Sequence, residues 1–322
     1  MLIRTIREIA AKILEEGKAK SVVGFAKGPA PFSARPIVID DPSLTTKLIW
    51  NDFCTANPVK YLSESGQGAI VANGCISRTL NVLLIEKQLK RERIFIIGVP
   101  CRGMLDKNKI AVLAGKSRVK SVSSDSEKVE VVGSDFHVER QRHELMRDNC
   151  LYCRHKNPVL YDVLASDLLQ KDADLRYKDV EIIEAKSTPD RAQYFHSLFS
   201  KCNLCFSCRA SCPLCYCQKC FIDQPASPWH SEPDKARKAF TFHLFRAMHM
   251  AGRCIDCGAC ESACPRGIPI AELMRKLNKD IRALYKFEAG LNVETAPALS
   301  VYDLTDVDDF ILTTQIKRPV PK

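Results

Sequence analysis

No stretch of this 322-residue sequence is apolar for long enough to span a bilayer. Its first twenty residues carry Glu8, Glu15 and Glu16 and lack the uninterrupted apolar core of a secretory signal. No G-x-G-x-x-G occurs, so the dinucleotide fingerprint is missing. No Ser/His/Asp set or carboxylate pair stands in a recognisable motif, which leaves hydrolytic chemistry without a candidate. The basic residues are scattered (Lys18, Lys20, Arg91, Arg93, Lys116, Arg118) and form no aromatic-interleaved tract, so nucleic acid is not an expected partner.

What the sequence has in quantity is cysteine, sixteen in all. In a chain without an export signal that density points to metal ligation in a reducing cytoplasm rather than to disulfides. Cys202, Cys205, Cys208 and Cys212 precede Pro213, and Cys254, Cys257, Cys260 and Cys264 precede Pro265. Both runs read C-x2-C-x2-C-x3-C-P, the spacing that holds [4Fe–4S] clusters in two-cluster ferredoxins. There the fourth cysteine of each run ligates the other cluster. One predicted cluster therefore uses Cys202, Cys205, Cys208 and Cys264, and the other Cys254, Cys257, Cys260 and Cys212. Gly258 would let the backbone approach inorganic sulfide. The competing reading of C-x2-C is a pair of zinc knuckles, for which two complete runs are surplus.

The N-terminal half alternates short apolar runs with helical spacing. Strands are predicted at 21–25, 36–39, 69–72 and 94–98, with a hairpin at 119–122 and 128–132. Helices are predicted at 1–16, 43–50 and 77–90. This is the pattern of an α/β domain with a mainly parallel sheet. The first helix has an apolar face (Leu2, Ile3, Ile6, Ile9, Ala10, Ile13, Leu14) suited to packing on its own domain, a membrane surface being the alternative. From residue 188 the spacing turns helical, at 190–199, 232–250 and 270–287. A helix between the two cysteine runs favours a helical two-cluster ferredoxin-like domain over a β-rich one. The expected division is 1–187, 188–290 and an extended arm at 291–322.

Five cysteines lie upstream. Cys75 and Cys101 follow predicted strands, at the sheet edge where open α/β folds bind ligands. Cys150 and Cys153 make a C-x2-C pair. The four either form a third thiolate site or include buried apolar thiols, as free cysteine often is. Cys215, Cys217 and Cys220 follow the first run and need a further ligand, such as Cys54 or His230, to hold a metal; otherwise they are packed thiols. The loop Ser63 to Gly68, with Ser65, Gly66 and Gly68, either cradles phosphate or simply turns. Arg78, Arg102 and His155 flank candidate cysteines and either donate to a cluster or flavin or are locally paired.

Gly74-Cys75-Ile76-Ser77-Arg78, Ile97-Gly98-Val99-Pro100-Cys101 and the Cys150–Cys153 pair recur in this order in one family. The chain resembles the beta subunits of hydrogenases and formate dehydrogenases that use a deazaflavin coenzyme, over roughly 22–291. The resemblance implies that Cys75, Cys101, Cys150 and Cys153 hold a third [4Fe–4S] cluster, with Cys54 left out, and that FAD is bound. Implied partners are a formate dehydrogenase, a hydrogenase or a heterodisulfide-reductase-like enzyme in an anaerobic cytoplasmic complex. The sequence departs from the longer family members in starting with a helix instead of a cysteine- and glycine-rich segment. The formal net charge of +10 would fall to about +4 with three clusters, each contributing about −2 with its thiolates. The expected function is electron transfer between a catalytic partner and another carrier. The alternative is a flavin-dependent subunit that itself oxidises or reduces a soluble coenzyme.

Overall fold

The structure, a computed structural model, describes residues 1–30, 32–62, 67–170, 176–223 and 234–300. Its strands are β1 (Ser21–Lys27), β2 (Ala34–Ile39), β3 (Gly68–Ala72), β4 (Ile94–Gly98), β5 (Val119–Ser124), β6 (Lys128–Gly133), β7 (His137–Gln141) and β8 (Val163–Leu164). One sheet has the order β2-β1-β3-β4-β8, in which only β2 is antiparallel to its neighbour. The mixed, mostly parallel α/β region expected from the sequence is therefore present. Every residue of β3 (Gly-Ala-Ile-Val-Ala) is buried, as befits a parallel strand covered on both faces.

Helix α1 (Leu2–Glu15) covers one face. Its Ile6, Ala10 and Ile13 pack with Val22, Ala69, Val71 and Ile97, so its apolar stripe meets its own sheet rather than a membrane. Helix α2 (Gly74–Ile85) contributes Ile76, Leu80 and Leu83 to the cluster that contains Val23, Phe25, Ile70 and Ile96. Burying each such side chain contributes about 1.5–3 kcal/mol, so an Asp at Ile6 or Leu80 would undo its layer. Asn73 caps α2 by accepting from the Ile76 amide at 3.0 Å, so the helix begins three residues earlier than spacing implied and takes in Cys75.

The helix expected at 43–50 is instead a 3₁₀ helix, Pro42–Lys47. Thr45 Oγ1 donates to the Pro42 carbonyl at 2.7 Å, and Ile49 leaves to bridge Phe25. Helix α3 (Lys107–Ala114) precedes the second sheet, β5-β6-β7, in which the expected hairpin gains a third strand. That sheet leads into two single-turn helices, α4 (Arg142–Leu145) and α5 (Asp148–Leu151).

The C-terminal part is helical, with α6 (Lys178–Glu184), α7 (Thr188–Phe199), α8 (Ser207–Ala210), α9 (Lys235–Met250), α10 (Ala259–Ser262) and α11 (Ala271–Tyr285). No strand occurs after β8 among the described residues, in keeping with the helical reading. The apolar cluster begun by Val23 and Leu80 continues without a break through Phe199, Phe242, Met250 and Met274. Residues 291–300 form neither helix nor strand, and 301–322 of the expected arm lie outside the described residues.

Candidate metal centres

The two C-terminal cysteine runs fold as a repeat. Each loop places left-handed residues at matching positions, Leu204 and Phe206 in the first, Asp256 and Gly258 in the second. Each then enters a single-turn helix, α8 carrying Cys208 and α10 carrying Cys260. Left-handed backbone curls a loop tightly, which turns successive sulfurs and amides inward. The Leu204 amide donates to Cys202 Sγ at 3.3 Å, and the Asp256 amide supports Cys254 in the same way.

The runs cross. Cys202 has Cys264 and Cys205 as electrostatic neighbours, and Cys208 has Cys202 and Cys264. Cys254 neighbours Cys257 and Cys212, and Cys260 neighbours Cys212 and Cys257. Cys212, Cys254, Cys257 and Cys260 line one small cavity, walled by Met250 and Met274. Burial pushes the free thiols up, Cys208 to about 11 and Cys254 to about 12. Buried thiols crowded in this way ionise only when metal cations offset their charge, so this donor set fits an iron–sulfur cluster.

The N-terminal cysteines converge as well. Cys75 stands in the first turn of α2; Cys101 follows β4 through Val99 and Pro100, its amide donating to the Lys156 carbonyl at 2.7 Å. Cys150 lies on α5, and Cys153 follows it. The Cys75 thiol donates to Cys153, which holds Cys153 at about 7. Burial raises Cys101 to about 12, and Cys150 and Cys153 act on it electrostatically. Gly74 makes this convergence possible, since a Cβ there would stand 1.8 Å from the His155 carbonyl oxygen. Four thiols from three segments fit a cubane by the same test of donor chemistry.

This set abuts the second C-terminal one, because Cys257 is among the electrostatic neighbours of Cys75. Three α/β side chains clamp the Cys254–Gly258 loop by its carbonyls. Arg78 Nη1 donates to Ile255 at 3.3 Å, Asn149 Nδ2 to Asp256 at 2.9 Å and Arg147 Nη1 to Cys257 at 3.4 Å. Gly258 has φ +65°, and a Cβ there would lie 2.3 Å from Arg147 Nη2, so Arg147 supplies a reason for this glycine beyond the expected room for sulfide.

The remaining expected residues are dispersed. Arg78 is buried and also donates from Nη2 to the Ala289 carbonyl at 2.7 Å, while its charge helps to lower Cys153. His155 pairs with Glu288 at 2.5 Å. Arg102 lines an open groove with Trp50, Asp52, Cys101 and Arg142. Gly68 opens β3 at the amino end of the sheet, about 13 Å from the strand's other end at ~3.3 Å per residue. It is thus not brought to Cys75 or Cys101; Ser65, Gly66 and His230 lie outside the described residues. Cys54 is a core thiol, raised to about 12 by burial and bonded to Asn51. Cys215 accepts a hydrogen bond from Cys212 and neighbours Cys220, whereas Cys217 is exposed. No three His, Cys, Asp or Glu side chains among the described residues are grouped to hold a single metal ion.

Sequence reasoning missed His243 and the buried Arg147 and Arg246. His243 Nε2 lies 3.5 Å from Cys202 Sγ, its ring stacked on Phe199 at 4.5 Å, and burial lowers it to about 4 so that it stays neutral. Its only signal was a polar residue on the stripe of α9 that also carries Ala239, Ala247 and Met250.

Residues 198–268 match the 4Fe-4S dicluster domain, so the segment that carries both C-terminal cysteine runs is similar to domains that hold two iron–sulfur clusters. More particularly, the chain resembles formate dehydrogenase beta subunits. It is 23% identical to the F420-dependent formate dehydrogenase 1 subunit beta of Methanococcus maripaludis, across 89% of this chain and 90% of that one. It is 30% identical over 104 residues to the F420-dependent formate dehydrogenase subunit beta of Methanocaldococcus jannaschii. That match takes in 32% of this chain and spans 27% of the relative. Among solved structures, the F420-reducing [NiFe] hydrogenase complex from Methanosarcina barkeri aligns with a TM-score of 0.38 and 13% identity, over 47% of this chain and 58% of that one.

Proposed function

We propose that this chain relays electrons within a cytoplasmic redox complex through three cubane sites in series. The first is Cys75, Cys101, Cys150 and Cys153; the second Cys212, Cys254, Cys257 and Cys260; the third Cys202, Cys205, Cys208 and Cys264. The adjacency of Cys75 and Cys257 carries this reading, since it joins the N-terminal set to the second set rather than the third. Clusters held there exchange single electrons with little rearrangement, which suits them to a relay. The clamp from Arg78, Asn149 and Arg147 fixes the spacing of the first two sets. Cys205, the exposed ligand, marks the outer end of the series. The inner end is the groove beside Cys101 and Arg102.

The relatives' names favour a formate dehydrogenase as catalytic partner, with a hydrogenase or heterodisulfide-reductase-like enzyme as the other candidates. No described helix is long and apolar enough to cross a membrane. In functional terms the chain divides as a 1–187 terminal, a 188–290 relay and an arm from 291. A second reading, in which the chain reduces or oxidises a coenzyme on FAD, draws on that same groove. It lies at the cluster end of the sheet, unlike Gly68.

The test is iron, sulfide, zinc and flavin content of the anaerobically purified chain. About twelve iron atoms support three cubanes, and about eight reduce the N-terminal cysteines to packing. Zinc without iron sinks the proposal. Stoichiometric FAD with coenzyme turnover by the isolated chain selects the second reading.

A further inference from the structure

The two crossed C-terminal sets share one buried cation. Arg246, on α9, is 4% exposed and lines the cavity of Cys212, Cys254, Cys257 and Cys260. Its electrostatic partners are Cys260 and Cys212 from that set, Cys208 from the other, and Cys215 beside them. Nη2 donates to the Cys208 carbonyl at 3.3 Å. Cys215 draws a hydrogen bond from the guanidinium, yet Nε and Nη1 have no partner at hydrogen-bond geometry among the described residues. Its foremost electrostatic partners are all thiols, and the carboxylate that lines the same cavity, Asp256, pairs instead with Arg275 at 3.5 Å.

A buried guanidinium with idle donors is costly unless something anionic completes it. The groups facing it are cysteines of two sets, each of which with its iron–sulfur core carries about −2 when oxidised and about −3 when reduced. We propose that Arg246 is a positioning residue for both C-terminal clusters at once, its Nε–H and Nη1–H completed by sulfur held in the two cysteine sets. Hydrogen bonds and positive charge aimed at sulfur favour the reduced form. One side chain thereby raises both potentials and weakens the repulsion that a reduced cluster exerts on its neighbour. Arg147 occupies the corresponding gap between the first and second sets, with Cys150, Cys257 and Cys260 as neighbours. Its donors, however, already meet the Cys257 and Gly258 carbonyls, so the inference falls on Arg246.

The inference rests on the relay reading, and the experiment separates the two. The full chain and its Arg246→Met and Arg246→Lys variants are purified anaerobically, assayed for iron and followed through redox titration by electron paramagnetic resonance. In Arg246→Met the reduced-to-oxidised ratio of both C-terminal clusters is expected to fall at least tenfold at a given poise, about 59 mV for one electron. Any signal from the Cys75 set stays in place as the internal control. Arg246→Lys keeps the charge but not the planar fork and recovers only part of the shift. Unchanged potentials in iron-replete Arg246→Met overturn the inference, as does a shift confined to one cluster. If Arg246→Met lacks iron, the lysine variant decides, and full iron with unshifted potentials again overturns it. Loss of iron from both variants also overturns it, because a purely structural need for the side chain then suffices. Zinc without iron in the parent chain removes the relay reading itself.

Discussion

Two glycines with the same backbone twist provide a direct test of the clamp on the second cysteine loop. Gly258 and Gly267 have φ of +65° and +60°, but a Cβ on Gly267 meets nothing within 4 Å. Gly267→Ala therefore costs only the left-handed penalty, about 1–2 kcal/mol. Gly258→Ala bears the same penalty and drives a methyl into Arg147 Nη2 at 2.3 Å and Asn149 at 2.9 Å. Displacing Arg147 removes charge-assisted donors from the Cys257 and Gly258 carbonyls, about 1.5–3 kcal/mol more. The extra cost corresponds to roughly a ten- to hundredfold change in an equilibrium constant, at 1.4 kcal/mol per tenfold. A cluster-bearing chain does not unfold in two states, so the quantity to compare is the guanidinium concentration at which cluster absorbance bleaches. Gly258→Ala should bleach at distinctly lower denaturant than Gly267→Ala. In an Arg147→Ala background its excess should shrink to the part owed to Asn149, because the closer clash has gone. Equal midpoints in the parent background would refute the clamp.

Three other substitutions separate ligand from packing and titrate a buried knot. Cys101→Ser should lower iron by about four atoms per chain, whereas Cys54→Ala leaves iron unchanged, both read by metal analysis. Burial works to raise the Glu288 carboxyl, but His155, Arg78 and Arg176 outweigh it and hold the group at about 2. Its contribution is fully present above the unfolded value of about 4.3 and is lost as pH falls toward 2. Glu288→Gln should thus destabilise the chain by about 2–3 kcal/mol at pH 7. The gap to the parent, measured by denaturant midpoints, should narrow below about pH 4.

The parts of the fold legible in the sequence are those governed by local pattern. Alternation and apolar runs located β1 to β6, and cysteine spacing gave the proposed crossed sets, with which the Cys212–Cys254 and Cys264–Cys208 neighbours are compatible. The helix expected from 77 starts instead at Gly74 because Asn73-Gly74 suits a turn as well as a helix start. Only the accepted Ile76 amide distinguishes the cap. β8 is two residues long, and β7 has mostly exposed polar residues, so neither had a periodicity to detect. Arg147 and Arg246 were illegible for another reason: a buried arginine is defined by partners distant in sequence, here more than one hundred residues away for Arg147 and thirty-eight for Arg246.

The unbroken apolar cluster and the carbonyl clamp have a kinetic meaning. A carrier that shuttles between donor and acceptor on a tether needs a hinge with few contacts across it. Here Arg78, Arg147 and Asn149 bridge the point at which such a hinge would fall, and Phe242 and Met274 share a core with the sheet. Under the proposed relay the chain is a rigid conduit whose throughput follows the association and departure of partners at its two ends, so viscosity would slow those encounters without slowing passage through the protein.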